Sequence, residues 1–529
     1  MKIKAMIVLI ITSVVFSSGC MHQDPIRADM YRPFDDIDDS YARTHILDLH
    51  SRGIVYGEGE RRYGPRKPVT REAMAAMLGR TLQLSPIDAA IPAFTDVPRT
   101  SWSYGMISAG VIRGLISGTS ASTYEPRRSI TRQEAAGLLY RALPTKQSSG
   151  SSALPFHDAA RIADWAKPAV SELYARGLIV GDQGRFRPND PLTREEMAVL
   201  LYEWIRQEDV VQSEKEEKAV PVNLGWQYSI STQEFTSRVA RAPGMNIVSP
   251  RWYFIHPTEM ASDATETQLL TWAKKNGREV WPLVGNRFNK ELTHQLLANP
   301  DKRAALVQKL AGYTQKYAID GLNIDFENID PADRLAFTAF VRELSTALHA
   351  HGKKLSVDVP PDLDSDWSNP YDFATLARHA DYVIMMAYNE TWEGLGKAGS
   401  NASLPWVRRH VEHMLTMVPK ERLIVALPLY TMRWQESAGK AVPKDMSVQD
   451  SIKDVEAAGI KPVWDARLGQ YYAIYNSKGI RYKMWLEESR SLALKYRMVQ
   501  EMDAAGVAFW YVGSETNEIW SALANERRP

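Results

Sequence analysis

From residue 221 onward the chain alternates between two hydrophobic periodicities. Short runs rich in β-branched, aromatic and leucine residues predict strands at 222–226, 246–249, 279–284, 321–327, 354–359, 382–388, 423–427 and 506–512. Between them lie longer stretches with apolar residues at three- and four-residue spacing, such as 301–317 and 331–351, which predict helices. Eight strands interleaved with helices predict an α/β fold, a (β/α)8 barrel of the TIM type, whose functional groups gather at the C-terminal strand ends. The stretch from Met432 to Arg490 is long for one connection and predicts a small α+β insertion.

The N-terminal part carries a different pattern, repeated three times. Phe34-Asp-Asp-Ile37, Phe94-Thr-Asp-Val97 and Phe156-His-Asp-Ala159 open the repeats, and Tyr41, Trp102 and Trp165 follow them. Gly53-Ile-Val-Tyr-Gly57, Gly114-Leu-Ile-Ser-Gly118 and Gly177-Leu-Ile-Val-Gly181 come next, each preceded by an arginine. Tyr63-Gly-Pro65, Tyr124-Glu-Pro126 and Phe186-Arg-Pro188 then lead to Thr70-Arg71, Thr131-Arg132 and Thr193-Arg194. Each unit predicts a helix ending at glycine and a second helix capped by the threonine. Glu134 and Glu196 complete capping boxes, whereas the first repeat has Ala73 at that position. One helix pair cannot bury its apolar face alone, so the three units are expected to pack together as an all-α-rich domain.

Composition narrows the possible functions. The 529 residues exceed what one core supports, and 44% hydrophobic with 24% charged residues is ordinary for globular domains. A net charge of +1, without a basic stripe, argues against nucleic acid as a partner. At the N-terminus, Lys2 and Lys4 precede an apolar run over 5–16 and the small residues Ser17-Ser18-Gly19, a pattern expected of an export signal spanning 1–19. Cys20, the only cysteine, follows directly. The run resembles a bacterial lipoprotein signal, although Ser17 stands where that family usually has leucine. The resemblance implies a lipid on Cys20 and attachment to the outer face of the membrane. Ser/Gly-rich 146–152 and the charged segment 207–220 are expected as linkers. The expected divisions are thus repeats at 34–83, 94–143 and 156–206 and a barrel over 221–529.

The chemistry concentrates in Asp320-Gly-Leu-Asn-Ile-Asp-Phe-Glu327. Strand alternation places Asn323, Asp325 and Glu327 on one face and Leu322, Ile324 and Phe326 on the other. Two carboxylates crowded at a barrel mouth raise each other's pKa, which can keep one of them a proton donor near neutrality. His349-Ala-His351 ends an amphipathic helix and is read as surface. With one cysteine, and with no His-Glu-x-x-His, phosphate loop or dinucleotide fingerprint, neither metal nor cofactor is expected.

The octapeptide resembles the Asp-Gly-x-x-x-Asp-x-Glu signature of glycoside hydrolase family 18, the chitinase-like enzymes. Met386-Ala-Tyr388-Asn389 and Trp510 match further motifs of that family. The resemblance implies a retaining, substrate-assisted glycosidase without cofactor. Glu327 would be the acid and base, Asp325 would hold the acetamide N–H, Tyr388 would bond the acetamide oxygen, and Trp510 would floor the sugar site. Asn323, Asp320, Asn389 and Trp281 are carried over as substrate-binding residues. Asn323 and Asn389 depart from the family pattern, which usually has Asp at both positions. The amide of Asn323 is expected to bond Asp325, and fewer charges near Glu327 would give a mildly acidic optimum.

The triple repeat resembles S-layer homology domains, which implies that Arg71, Arg132 and Arg194 grip an anionic secondary polymer of a Gram-positive-type cell wall. Two functional classes follow: a wall-anchored hydrolase of N-acetylglucosamine-containing glycans, or a non-catalytic, lectin-like barrel on the same anchor. Retention of Glu327, Asp325 and Tyr388 favours the enzyme. Ser249-Pro-Arg-Trp252, Val280-Trp281 and the octapeptide with Asn328 look most like the spore and cortex-lytic N-acetylglucosaminidase branch. That likeness favours peptidoglycan over chitin as the polysaccharide substrate.

Overall fold

The computed structural model describes residues 32–143, 154–212, 221–437 and 439–527. The expected signal segment, Cys20, the 146–152 loop and the 213–220 part of the linker lie outside the described residues.

The eight expected strands form the staves of a parallel barrel. In ring order they are Val222–Gln227, Ile247–Pro250, Glu279–Val280, Gly321–Asp325, Lys354–Val359, Tyr382–Met386, Leu423–Pro428 and Gly506–Val512. Two staves are broken and resume: Ile247–Pro250 continues as Tyr253–His256, and Glu279–Val280 continues as Leu283–Gly285 beyond Trp281-Pro282. Proline lacks the N–H a ladder needs, which accounts for the second break. Both halves of these staves pair in parallel, Val248 with Val280 and Tyr253 with Val284, so the ring closes.

Alternation along the staves divides two cores. Leu322, Ile324 and Phe326 pack outward with the helix Arg334–His349 and its neighbours. Leu224, Trp226, Ile384, Ile424 and Ala508 fill the barrel interior. The expected insertion is present as an antiparallel five-stranded sheet running from Tyr430–Ser437 to Ile480–Leu486, with the helix Val448–Ala457 against it.

Among the described residues the three repeats give six α-helices, from Arg43–Ser51 to Arg194–Gln212. Thr70, Thr131 and Thr193 cap the second helix of each pair, and Glu134 and Glu196 return the reciprocal bond to the threonine N–H. Gly53, Gly114 and Gly177 adopt positive φ after the first helices, which glycine does without strain. The repeats close into a ring. Val69 N–H donates to the Leu192 carbonyl, Leu192 N–H to Ile130, and Ile130 N–H to Val69, at 2.8–3.0 Å. Asp36, Asp96 and Asp158 each accept two backbone N–H bonds from the Pro-containing turn of their own repeat.

The ring of repeats packs on the barrel. Ala493 and Ala522, on barrel helices, belong to its hydrophobic core. Arg497 donates to the Ile112 carbonyl at 2.7 Å, Arg113 pairs with Glu526, and Asn525 bonds both backbone groups of Ser85.

Candidate functional site

Three carboxylates, rather than two, meet at the mouth of the barrel. Asp325 ends its strand and Glu327 lies two residues beyond it. The third is Asp358, on the neighbouring strand Lys354–Val359 and 3% exposed. Sequence reasoning overlooked it, although alternation along that strand puts Ser356 and Asp358 on the inward face.

Asn323 joins these strands. Its amide nitrogen donates to Asp358 Oδ1 at 2.7 Å and Ser356 Oγ at 3.1 Å, while its oxygen accepts from Trp226 Nε1 at 2.8 Å. The expected bond to Asp325 is therefore replaced by one to Asp358. An aspartate here could not donate unless protonated, whereas the amide supplies donors and an acceptor at once.

Glu327 is held through its backbone. Asn286 Nδ2 donates to the Glu327 carbonyl at 2.7 Å, and Asn286 Oδ1 accepts from the Glu327 N–H at 3.0 Å. Tyr371 donates its hydroxyl to the Phe326 carbonyl at 2.7 Å. Both side chains are buried, so the position of Glu327 rests on enclosed hydrogen bonds.

Burial raises the pKa of Glu327 to about 8, with the charge of Asp325 adding and Arg251 opposing. Burial also raises Asp325, to about 6, again opposed by Arg251. Asp358 is pushed well above the usual carboxylate range by burial and by Asp325, against the bond from Asn323. This runs against the expectation that the amide at 323 would leave Glu327 only weakly raised. Desolvation is the largest force and Asp325 adds the like charge, neither of which the amide at 323 removes.

The other expected residues divide. Tyr388 lies within the field of Glu327, Asp325 and Asp358, its ring edge-on to Tyr430 at 6.2 Å. Asn389 accepts from the Tyr430 hydroxyl at 3.1 Å, beside this group. Trp510 is partly exposed, packed on Trp226 and stacked with Tyr228 at 5.4 Å. Phe288 and Trp367 stack at 6.3 Å, are 54% and 40% exposed, and were not singled out in sequence. They offer a second flat surface, since the Phe288 carbonyl accepts from Asn328, next to Glu327.

Two residues carried over as substrate-binding are corrected. Asp320 precedes its strand, at the opposite end from Asp325, and caps the Val280 N–H at 2.9 Å. Trp281 is 2% exposed in the barrel interior, stacked on Tyr382 and bonded to Glu279. Both stabilise the barrel away from its mouth. His349 pairs with Asp381 at 2.8 Å.

The repeat arginines act between repeats. Arg71 Nε donates to the Tyr124 carbonyl, Arg132 Nε to Phe186 and Arg194 Nε to Tyr63, so each repeat clasps the next. Arg71 also pairs with Glu134 and Arg132 with Glu196, carboxylates of the protein itself. Ala73 leaves Arg194 without the equivalent glutamate, and its guanidinium instead reaches the Tyr56 carbonyl and lies over Tyr63.

The family comparison agrees with this geometry. The model for glycosyl hydrolases family 18 matches residues 255–515, and that for the S-layer homology domain matches 33–75, 93–136 and 155–198. The chain carries a family 18 glycosidase domain behind three S-layer homology domains. The family 18 part is 25% identical over 323 residues to the uncharacterized glycosylase YvbX of Bacillus subtilis, covering 58% of this chain and 92% of that protein. It is 24% identical over 252 residues to the cortical fragment-lytic enzyme of Bacillus subtilis, covering 46% of this chain and 58% of that one. The crystal structure of the Bacillus cereus spore cortex-lytic enzyme SleL shares the fold, with a TM-score of 0.54 and 18% identity over 59% of this chain and 75% of that one. The S-layer homology domains associate the family 18 domain with the cell surface.

Proposed function

We propose that the chain is a wall-anchored, retaining hydrolase of β-1,4-linked N-acetylglucosamine-containing glycans, with peptidoglycan as the preferred class. The observation that carries this reading is the pairing of Glu327, kept protonated near neutrality, with Asp325 at the barrel mouth. Glu327 gives its proton to the glycosidic oxygen as the bond from that oxygen to the anomeric carbon breaks. The acetamide oxygen of the same sugar forms the new bond to the anomeric carbon, replacing the second protein carboxylate of other glycosidases. Asp325 holds the acetamide N–H, Tyr388 bonds the acetamide oxygen, and Trp510 supports the ring. Water then attacks the anomeric carbon, its proton passing to Glu327, and the acetamide is restored with net retention. Similarity to the cortical fragment-lytic enzyme supports the peptidoglycan preference.

Attachment is proposed to run through the ring of repeats to an anionic wall polymer, with a lipid on Cys20 as a second hold on the membrane.

The test is digestion of purified peptidoglycan and of chitin by the wild type and by Glu327→Gln, with mass spectrometry of products and NMR of the first-formed anomer. Hydrolysis with retention in the wild type, and bound but intact glycan in the variant, is expected. Glycan binding without hydrolysis by the wild type would replace the enzyme reading with a lectin-like one.

A further inference from the structure

Two arginines beside the cleft form no salt bridge among the described residues. Arg251 follows the strand Ile247–Pro250, and Arg287 follows Leu283–Gly285 just after Asn286, so neighbouring staves deliver both to one end of the barrel. Both guanidiniums lie against one ring, that of Phe254, at 5.3 and 4.4 Å from its centroid. Arg251 also lies over Tyr228 at 4.9 Å and stands 6.0 Å from the centroid of Trp510. Neither forms an ion pair with a described carboxylate, and the buried Nε of Arg251 has no hydrogen-bond partner among the described residues. Together with Gln227, Tyr228 and Glu266 they line a depression of about 510 Å³. Glu266, the one carboxylate among its lining residues, accepts the hydroxyl of Thr232.

Two neighbouring cations and an unmet buried donor are costly unless an anion joins them. Attraction of the guanidiniums to the Phe254 face offsets only part of that cost. A carboxylate suits the two guanidiniums best, because the guanidinium fork matches its two oxygens. Glu327 and Asp325 feel Arg251, so the depression adjoins the cleft.

We propose that Arg251 and Arg287 form a subsite for a carboxylate carried by the sugar next to the one bound over Trp510. The inference rests on the glycosidase reading and sharpens it. The preferred glycan alternates an uncharged N-acetylhexosamine with one bearing an acidic ether substituent, as a neutral chitin-like chain does not.

The probes are an alternating N-acetylglucosamine–N-acetylmuramic acid tetrasaccharide and its methyl ester, compared in wild type and Arg287→Ala. One charge-assisted contact corresponds to about tenfold, so wild-type kcat/KM is expected to favour the free acid over the ester by about that factor. The preference should shrink towards unity in Arg287→Ala and at high salt. Equal rates on acid and ester in the wild type, or a preference unmoved by Arg287→Ala, would overturn the subsite. Should the wild type hydrolyse neither probe, the glycosidase reading fails by itself. Calorimetric titration of the same pair still decides the subsite, tighter binding of the acid supporting it and equal binding refuting it.

Discussion

The side-chain amide of Asn286 brackets the backbone of Glu327, donating to its carbonyl and accepting from its N–H. Two hydrogen bonds from one buried side chain fix where the candidate acid leaves its strand. Asn286→Ala should strand both backbone groups, at a cost of about 1–3 kcal/mol each when unsatisfied. We expect kcat on a defined oligosaccharide to fall about 10- to 100-fold, with KM changed much less. Unchanged kcat in a folded variant would show that the bracket does not position Glu327.

The pH profile follows from the two raised carboxyls. Activity needs Glu327 protonated, so it should be lost as pH rises through about 8. It needs Asp325 able to accept the acetamide N–H, so it should be lost as pH falls through about 6. A bell with its maximum at about 7 in kcat/KM is therefore expected. Activity that persists undiminished at pH 10 would exclude Glu327 as the proton donor.

Asn323→Asp tests the junction between strands. The new carboxyl faces Asp358, and two buried carboxylates in contact cannot both ionise, so the folded state retains a proton that the unfolded chain releases. A raised native pKa means stability present at low pH and lost as pH rises through neutrality. Relative to wild type, the melting temperature should fall by several degrees at pH 8 and by less at pH 5. Equal losses at both pH values would mean that no proton is trapped.

The anchor arginines should separate into two kinds. Arg71→Ala breaks a clasp to Tyr124 and Glu134 and should lower the melting temperature of the repeat domain. Arg194→Gln removes the arginine that has no internal carboxylate, so it is expected to weaken binding to wall sacculi most, by tenfold or more. Sedimentation with native sacculi, and with sacculi stripped of anionic polymer, measures both. Equal binding to stripped sacculi would remove the polymer from the interaction.

The staves and repeats were legible because their signals are local. Strand alternation around Asn323, Asp325 and Glu327, and threonine caps at 70, 131 and 193, need no distant partner to be read. Asp358, Asn286 and the Arg251–Arg287 pair were not singled out, because their meaning lies in which strand stands beside which. The motif suggested Asp320 and Trp281 for substrate, but strand direction puts Asp320 at the far end and burial puts Trp281 inside. The arginines were read as holding an external polymer, and the carboxylates that Arg71 and Arg132 meet within the fold belong to the neighbouring repeat.

The seating of Ala493 and Ala522 in the core of the repeats has a mechanical result. A catalytic domain on a slack tether sweeps out a volume set by tether length, whereas one seated on its anchor works at a fixed radius. On the proposed function, cleavage is then confined to glycan within about one molecular diameter of each attachment point. On the same proposal, advance across the wall would wait for the anchor to let go and rebind, and the residence time on the polymer would set the pace of cleavage.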